Sequence, residues 1–110
     1  MSGSASRRKG NRWEVEVCHL LERYGWHAMT SRAGRGGTQA GADIISECPV
    51  VIEAKNHKTM DLSGWLDQAI EQAVCDPAAV FIKRRQKPPE HAYVVMRADQ
   101  YLELVRRKDL

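Results

Sequence analysis

Three charged residues interrupt two hydrophobic runs in the stretch GADIISECPVVIEAKN, which covers residues 41–56. The runs ADII and PVVIEAK are short, rich in β-branched residues and bounded by turn-forming residues, so they predict two β-strands joined by a turn near Glu47. Asp43 lies in the first run, and Glu53 and Lys55 lie in the second. Because an unpaired charge is costly to bury, these three side chains require partners that compensate for their burial.

The spacing of Glu53 and Lys55 puts both side chains on one face of their strand, because alternate residues of a strand share a face. A hairpin would bring Asp43, at the start of the preceding strand, to the same end of the sheet. Two carboxylates and an ammonium gathered there suit Mg²⁺, which takes one or two carboxylates and keeps positions for water and phosphate. The alternative interpretation is a structural network of ion pairs at a sheet edge.

A helix predicted over residues 11–24 supplies a third acidic residue. Its apolar residues recur at spacings of three and four, and Gly25 predicts its end. At about 100° per residue, Glu14 lies about 60° from the centre of the apolar stripe, whereas Glu16 and Glu22 lie about 100° and about 140° from it. We therefore expect Glu14 to reach the carboxylates of the strands, and the other two acids to face solvent.

The remaining hydrophobic patterns complete an α/β domain. They predict strands over 26–32, 78–84 and 91–97 and helices over 62–74 and 99–107. Asp61 is the expected N-cap of the first of these helices. The order of elements is then α-β-β-β-α-β-β-α, and a single mixed β-sheet flanked by helices is its simplest packing. A chain of 110 residues is long enough for one domain, expected over residues 9–110. Residues 1–8 are expected to form a flexible, basic N-terminal arm.

Composition excludes several classes of protein. Hydrophobic residues make up 43% of the chain and charged residues 28%, which is typical of a soluble globular protein. No apolar run approaches the roughly 20 residues that span a bilayer, so no membrane association is expected. The three cysteines are widely spaced and form no CxxC pair. They predict a reducing cytoplasm rather than a disulfide framework or a zinc site.

Positive charge is concentrated in short runs, although the net charge is only +3. The runs are RRKGNR at residues 7–12, KRRQK at 83–87 and RRK at 106–108. Each run is typical either of a phosphate-binding surface or of a solvated turn or terminus. Two more arginines flank or occupy a glycine-rich loop, AGRGGTQAG. The candidates for phosphate contacts, and for DNA contacts if the partner is DNA, are Arg7, Arg8, Lys9, Arg12, Arg32 and Arg35.

The order and spacing of these motifs resemble the PD-(D/E)xK nuclease superfamily. A helix carries Glu, a glycine-rich loop follows, and EAK comes ten residues after the Asp of GAD. Ala42 stands where the superfamily name has Pro. Within the superfamily, RKG before the helical Glu, the TSR segment and IEAKN resemble the archaeal and phage Holliday-junction resolvases. The resemblance runs from Arg8 to Lys58, about half of the chain, and implies a restriction-endonuclease-like core.

The resemblance also implies an activity. It implies a Mg²⁺-dependent endodeoxyribonuclease, with Mn²⁺ able to replace Mg²⁺, that resolves four-way junctions in DNA recombination and repair as a homodimer. Asp43 and Glu53 would hold the metal together with the main-chain carbonyl of Ala54, and Glu14 would complete the metal site. Lys55 would position or deprotonate the attacking water and offset charge on the phosphorus.

Further positions of the resemblance concern phosphate contacts. Ser31 matches a family serine near the scissile phosphate. The chain has Val15 and Thr30 where relatives often carry basic residues, and Arg12 and Arg32 are the candidates to replace them.

Two other functions are compatible with the same residues. One is a restriction-like or repair endonuclease that acts on duplex or flap DNA. The other is a DNA-binding module of the same fold without activity. The complete set of three acids and a lysine argues against a pure binding module, because acids repel phosphates.

Overall fold

The protein is described by a computed structural model over residues 2–31 and 43–108. These residues form three α-helices, five β-strands and one short 3₁₀ helix. In chain order the elements are α1 Ser2–Arg23, β1 Ala28–Thr30, β2 Ile44–Ser46, β3 Val51–Lys55, α2 Leu62–Ala73, β4 Ala78–Ile82, the 3₁₀ helix Pro89–His91, β5 Tyr93–Met96 and α3 Ala98–Lys108. The α/β class and the predicted order of helices and strands are confirmed, with the 3₁₀ helix in addition.

Helix α1 ends as the sequence predicts and begins earlier. Gly25 has a positive φ of 94°, and its N–H donates to the Glu22 carbonyl at 3.0 Å. The N–H of Trp26 donates to the Leu21 carbonyl, also at 3.0 Å. These two bonds give hydrogen-bond donors to main-chain carbonyls in the last turn of the helix. Residues 2–8, expected to belong to a flexible arm, continue the helix. This segment contains no proline, and its Ala and Arg residues favour helical conformation.

The strands form two adjacent sheets rather than the expected single one. Strands β1 and β2 pair antiparallel, whereas β3 pairs parallel with β4 and β4 pairs antiparallel with β5. Strand β2 lies beside β3, but no main-chain ladder joins them in the described part of the chain. Instead, the carboxylate of Asp43 accepts a hydrogen bond from the N–H of Ala54 at 3.1 Å. A side chain thus occupies the place where a continuous sheet would have a main-chain acceptor.

Helices cover both faces of the three-stranded sheet. On one face, Trp13 of α1 belongs to a core with Ile52 and Ala54 of β3. On the other face, Trp65 of α2 belongs to a second core with Val80 of β4. Because β3 and β4 are covered on both sides, their sequences read as nearly continuous hydrophobic runs. Any charged residue in these strands is therefore held close to a core.

Helix α3 is attached to the sheet but largely exposed. The side-chain carbonyl of Gln100 accepts a hydrogen bond from the N–H of Ala78 at 3.0 Å, which connects α3 to β4. Tyr101, Leu102 and Val105 remain exposed. Neither α3 nor another helix in the described ranges is long and apolar enough to cross a membrane.

Candidate active site

Asp43 and Glu53 are joined where β2 meets β3. The main-chain N–H of Asp43 donates to Oε1 of Glu53 at 3.3 Å. Oδ2 of Asp43 accepts from the N–H of Ala54 at 3.1 Å. The side chain of Glu53 is almost fully buried, since the residue is 5% exposed. The two acidic residues singled out in the sequence are therefore neighbours, with Glu53 buried and Asp43 half-buried.

Lys55 ends β3 on the same face of the strand as Glu53. Its Nζ lies 4.0 Å from Oε2 of Glu53 and 5.9 Å from the centre of the Trp65 ring. The Trp65 ring is in turn 5.2 Å from the ring of His57, centre to centre. The ammonium of Lys55 thus lies between a carboxylate and an aromatic face at the carboxyl end of its strand.

The protonation of Glu53 reflects this crowding. Burial, together with the negative charge of Asp43, raises the pKa of Glu53 to about 7, and the positive charge of Lys55 opposes the rise. Two neighbouring carboxylates repel each other, and either a proton or a cation between them relieves the repulsion. The pair therefore has the electrostatic character of a cation site.

The donor atoms at this location fit a hard cation. In the described ranges, no group of three or more His, Cys, Asp or Glu side chains is arranged to hold a metal ion. Mg²⁺, however, is commonly bound by only one or two carboxylates, and its other positions are taken by water and phosphate. Asp43 and Glu53 meet that requirement, and the carbonyl of Ala54 is a third oxygen on the same strand.

Glu14 lines a cavity beside the pair formed by Asp43 and Glu53. The cavity has a volume of about 470 Å³, and Glu14 lines it together with Asp43, Ala54 and Lys55. Helix α1 brings Glu14 there because its neighbour Trp13 is packed in the core against β3. The structure thus brings the third predicted acid to the same opening.

Ser31 is brought close to the site by the main chain. It follows β1, and its N–H donates to the carbonyl of Asp43 at 3.0 Å. This bond extends the antiparallel ladder of β1 and β2 by one residue pair. Ser31 is half-buried. The predicted serine and Asp43 are therefore direct neighbours across two strands.

The predicted DNA-binding residues are distributed unevenly around the site. Arg7 and Lys9 line the cavity onto which Glu14 opens. Arg12 lines an adjoining cavity of about 610 Å³, whose walls also include Lys9. Arg8 is exposed. The remaining two residues of that prediction, Arg32 and Arg35, lie outside the described residues.

Sequence reasoning missed the pair formed by Lys83 and Glu16. Lys83 follows β4, and its N–H donates to the carbonyl of Lys55 at 3.0 Å. Its Nζ lies 3.7 Å from Oε1 of Glu16 and 5.2 Å from the centre of the Trp13 ring. Glu16, expected to face solvent, is half-buried instead. The available signal was the spacing of Trp13 and Glu16, since residues three apart share a helix face.

No family model, curated protein or solved structure matches the chain. The chemistry of the site therefore rests on its own residues. These are two neighbouring carboxylates, one of them buried, a lysine at the end of the same strand and a cavity with basic walls.

Proposed function

We propose that the protein is a metal-dependent DNA endonuclease that resolves four-way junctions. The observation that carries the proposal is the hydrogen-bonded pair of Asp43 and Glu53, with Lys55 4.0 Å from Glu53 and a basic cavity alongside. The resemblance of the GAD and EAK motifs to the resolvases supports the same activity. The proposal includes a restriction-endonuclease-like core, in which the two adjacent sheets act together as one mixed sheet.

Asp43 and Glu53 are the residues that would hold Mg²⁺ or Mn²⁺. The carbonyl of Ala54 and the carboxylate of Glu14 are the further oxygen ligands on the walls of the cavity. An all-oxygen set of this kind is the one that hard divalent cations prefer. When bound, the cation supplies Lewis-acid activation and neutralises charge at the phosphodiester.

Lys55 is the residue proposed to act on the reacting atoms. Its ammonium donates hydrogen bonds to the attacking water or to a phosphate oxygen, and it offsets the negative charge that grows during attack on phosphorus. Its position beside Glu53 and over Trp65 keeps this charge at the end of β3. Arg7 and Lys9 bind phosphates of the strand being cut, because they line the same cavity.

The proposal includes a homodimer in the cytoplasm. Resolution requires paired nicks on opposed strands, and a two-fold dimer matches the symmetry of a four-way junction. Exposed apolar side chains on β5 and α3, those of Val94, Tyr101 and Leu102, support a surface for a second copy. Val94 and Tyr101 also line an apolar cavity of about 460 Å³ next to α3.

The deciding experiment compares cleavage of a four-way junction with cleavage of a linear duplex of matched sequence. With Mg²⁺ or Mn²⁺, the wild-type chain is expected to nick the junction on opposed strands and to leave the duplex uncut. Ca²⁺ accepts looser and higher coordination, so it is expected to support no cleavage. Lys55→Ala is expected to abolish cleavage and to cost some affinity for the junction, since it removes a phosphate-facing charge.

The other outcomes of this experiment point to different functions. Full cleavage in excess EDTA would eliminate the metal-dependent mechanism. Equal cleavage of duplex and junction would indicate a restriction-like or repair endonuclease. Junction binding without cleavage in either ion would indicate a DNA-binding module of the same fold.

A further inference from the structure

A second basic cavity continues the candidate active site across the ends of β3 and β4. The cavity of about 470 Å³ at Glu14 and the adjoining cavity of about 610 Å³ have four lining residues in common. The shared residues are Lys9, Asn56, His57 and Lys58. Beyond them, the larger cavity is lined by Arg12 and by residues 83–86 of the loop between β4 and β5. We call the larger cavity the basic groove.

The basic groove is charged with one sign only. Within the described part of the chain, no Asp or Glu lines it. Six cationic side chains do so, namely Lys9, Arg12, Lys58, Lys83, Arg84 and Arg85. Charges of one sign repel each other and make the folded state less favourable, and an anion in the groove reverses this effect. The groove therefore has the composition of an anion-binding site.

A titratable residue within the groove senses the same field. Burial lowers the pKa of His57, and the positive charges of Lys55 and Lys9 lower it further. Burial is the larger of these causes, and the two positive charges add to it at the shared wall of the two cavities. The direction of the charge effect agrees with the six cationic side chains that line the groove.

The basic groove lies at the carboxyl ends of a parallel strand pair. Strands β3 and β4 run parallel, and the hydrogen bond from the N–H of Lys83 to the carbonyl of Lys55 continues their pairing by one step. Lys55 lies over Trp65 of one core, and Lys83 lies over Trp13 of the other. The two ammonium groups therefore flank the end of the sheet on opposite faces. In α/β folds, this end of parallel strands is where ligands commonly bind.

Aromatic rings hold some of these cations in place. The guanidinium of Arg84 lies 4.6 Å from the centre of the Tyr93 ring, and Nζ of Lys83 lies 5.2 Å from that of Trp13. Cation–π contacts of this kind restrict the side chains, and the ion pair with Glu16 restricts Lys83 as well. A restricted cation loses less conformational entropy when it binds a ligand than a freely moving one does. These contacts preorganise part of the groove for binding a ligand.

We propose that the basic groove binds the phosphate backbone of one DNA strand. This strand continues past the phosphodiester bond that is cut in the candidate active site of Asp43 and Glu53. This inference rests on the proposed function, because the strand in the groove is the one that enters the candidate active site. The cations line a continuous path through two cavities, which suits a polyanion with regularly spaced charges better than a single phosphate. The KRRQK run at residues 83–87 thereby becomes a DNA-backbone contact rather than a solvated turn.

The test is DNA binding by the full chain in EDTA, measured by fluorescence anisotropy with a labelled four-way junction over a range of salt concentrations. The groove variant, Arg84→Gln with Arg85→Gln, removes two charges from the groove. The control variant, Arg106→Gln with Arg107→Gln, removes two exposed charges of α3, neither of which lines the groove. Since these are exposed or half-exposed residues, both variants are expected to keep the wild-type circular dichroism and melting temperature.

The groove variant is expected to bind about tenfold or more weakly near 0.1 M salt, because two phosphate contacts are lost. The slope of log affinity against log salt should flatten by about two, one for each lost contact. The control variant should keep the wild-type affinity and slope. Arg84→Lys with Arg85→Lys retains both charges and should recover most of the affinity. Equal losses in the groove and control variants, or no loss in the groove variant, would overturn the proposal.

The failure of this proposal can be told apart from failure of the endonuclease proposal. If the chain cuts the junction in Mg²⁺ and the groove variant binds and cuts like wild type, the endonuclease stands and the groove assignment is wrong. If no metal ion supports cleavage but the groove variant alone loses affinity, the DNA path stands and the nuclease assignment is wrong.

Discussion

The carboxylate of Asp43 accepts a hydrogen bond from the main-chain N–H of Ala54, at 3.1 Å, and so connects the segment before β2 to β3. Asp43 therefore has a structural task as well as the proposed task of binding metal. The two tasks make different demands, since the hydrogen bond needs an acceptor oxygen whereas the metal needs a negative charge. Substitutions that remove one property at a time can separate them.

Asp43→Asn keeps the shape and an acceptor oxygen but removes the charge. Single-turnover cleavage is expected to fall by orders of magnitude, while metal-free binding of the junction stays equal or tightens because phosphates are repelled less. Asp43→Ala also loses the bond to Ala54 and should lose about 1–2 kcal/mol of unfolding free energy in urea. Normal cutting by the Asn variant would refute the metal site. Lack of junction binding by the folded Asn variant would make Asp43 a recognition residue instead.

Glu53 is expected to make the stability of the metal-free protein depend on pH. Its pKa is about 7 in the folded protein and 4.5 ordinarily, so the folded state favours the protonated form. The protonated carboxyl of Glu53 therefore contributes to the free energy of unfolding. Its contribution is fully present below pH 4.5 and is lost as the pH rises through 7. The difference between these two pKa values corresponds to about 3 kcal/mol.

The measurement is urea unfolding in EDTA at pH 5 and pH 8.5 for wild type and Glu53→Gln. Glutamine cannot ionise, so the stability of wild type relative to the variant should drop between the two pH values by up to about 3 kcal/mol. Saturating Mg²⁺ should restore part of this loss in wild type at pH 8.5, because a bound cation favours the charged carboxylate. Parallel pH profiles for both proteins would contradict the raised pKa.

The first turns of α1 offer a matched pair of tests for DNA binding. Arg7 and Lys9 line the cavity at Glu14, whereas Arg8 between them does not. Changing Arg7 and Lys9 together to Ala should weaken junction binding and flatten its salt dependence by about two, and Arg8→Ala alone should have a smaller effect on both. Alanine favours helix, so α1 should persist. Identical salt slopes for all three proteins would show that this run is merely solvated.

The homodimer predicts a change in mass after one surface substitution. Leu102 is 62% exposed on α3, so Leu102→Asp should leave the folded chain stable but place a charge in the proposed apolar contact. Light scattering after gel filtration should give twice the chain mass for wild type and the single-chain mass for the variant. Tyr24→Asp, at an exposed position beyond the end of α1, is the control and should remain dimeric. A wild-type protein with the mass of one chain would exclude the dimer.

Local patterns were sufficient to predict the elements that carry the site. The helix expected over 62–74, with Asp61 as its N-cap, is found as Leu62–Ala73, and Oδ1 of Asp61 accepts from the N–H of Gly64 at 3.2 Å. The strand expected over 49–55 is found as Val51–Lys55. Both predictions depended on capping and periodicity, which neighbouring residues determine.

The features that escaped prediction depend on residues distant in the chain. The division into two sheets follows from a bond between Asp43, just before β2, and Ala54 of β3, and no local pattern specifies whether a side chain or a carbonyl accepts it. The burial of Glu16 likewise depends on Lys83, which follows β4. A projection of α1 alone contains only the residues of that helix, so it places Glu16 on the solvent face.

The hydrogen bonds between the start of β2 and β3 couple cation binding to the local separation of the two sheets. The acceptors are the carboxylates of Asp43 and Glu53, so a cation that draws these oxygens away weakens their bonds to the amides of Ala54 and Asp43. By reciprocity, whatever tightens these bonds must reduce the affinity for the cation by the same factor. Hydrogen exchange at these two amides would therefore report occupancy of the site before any DNA is cut, and a change there would appear as a change in the dynamics of the two-stranded sheet.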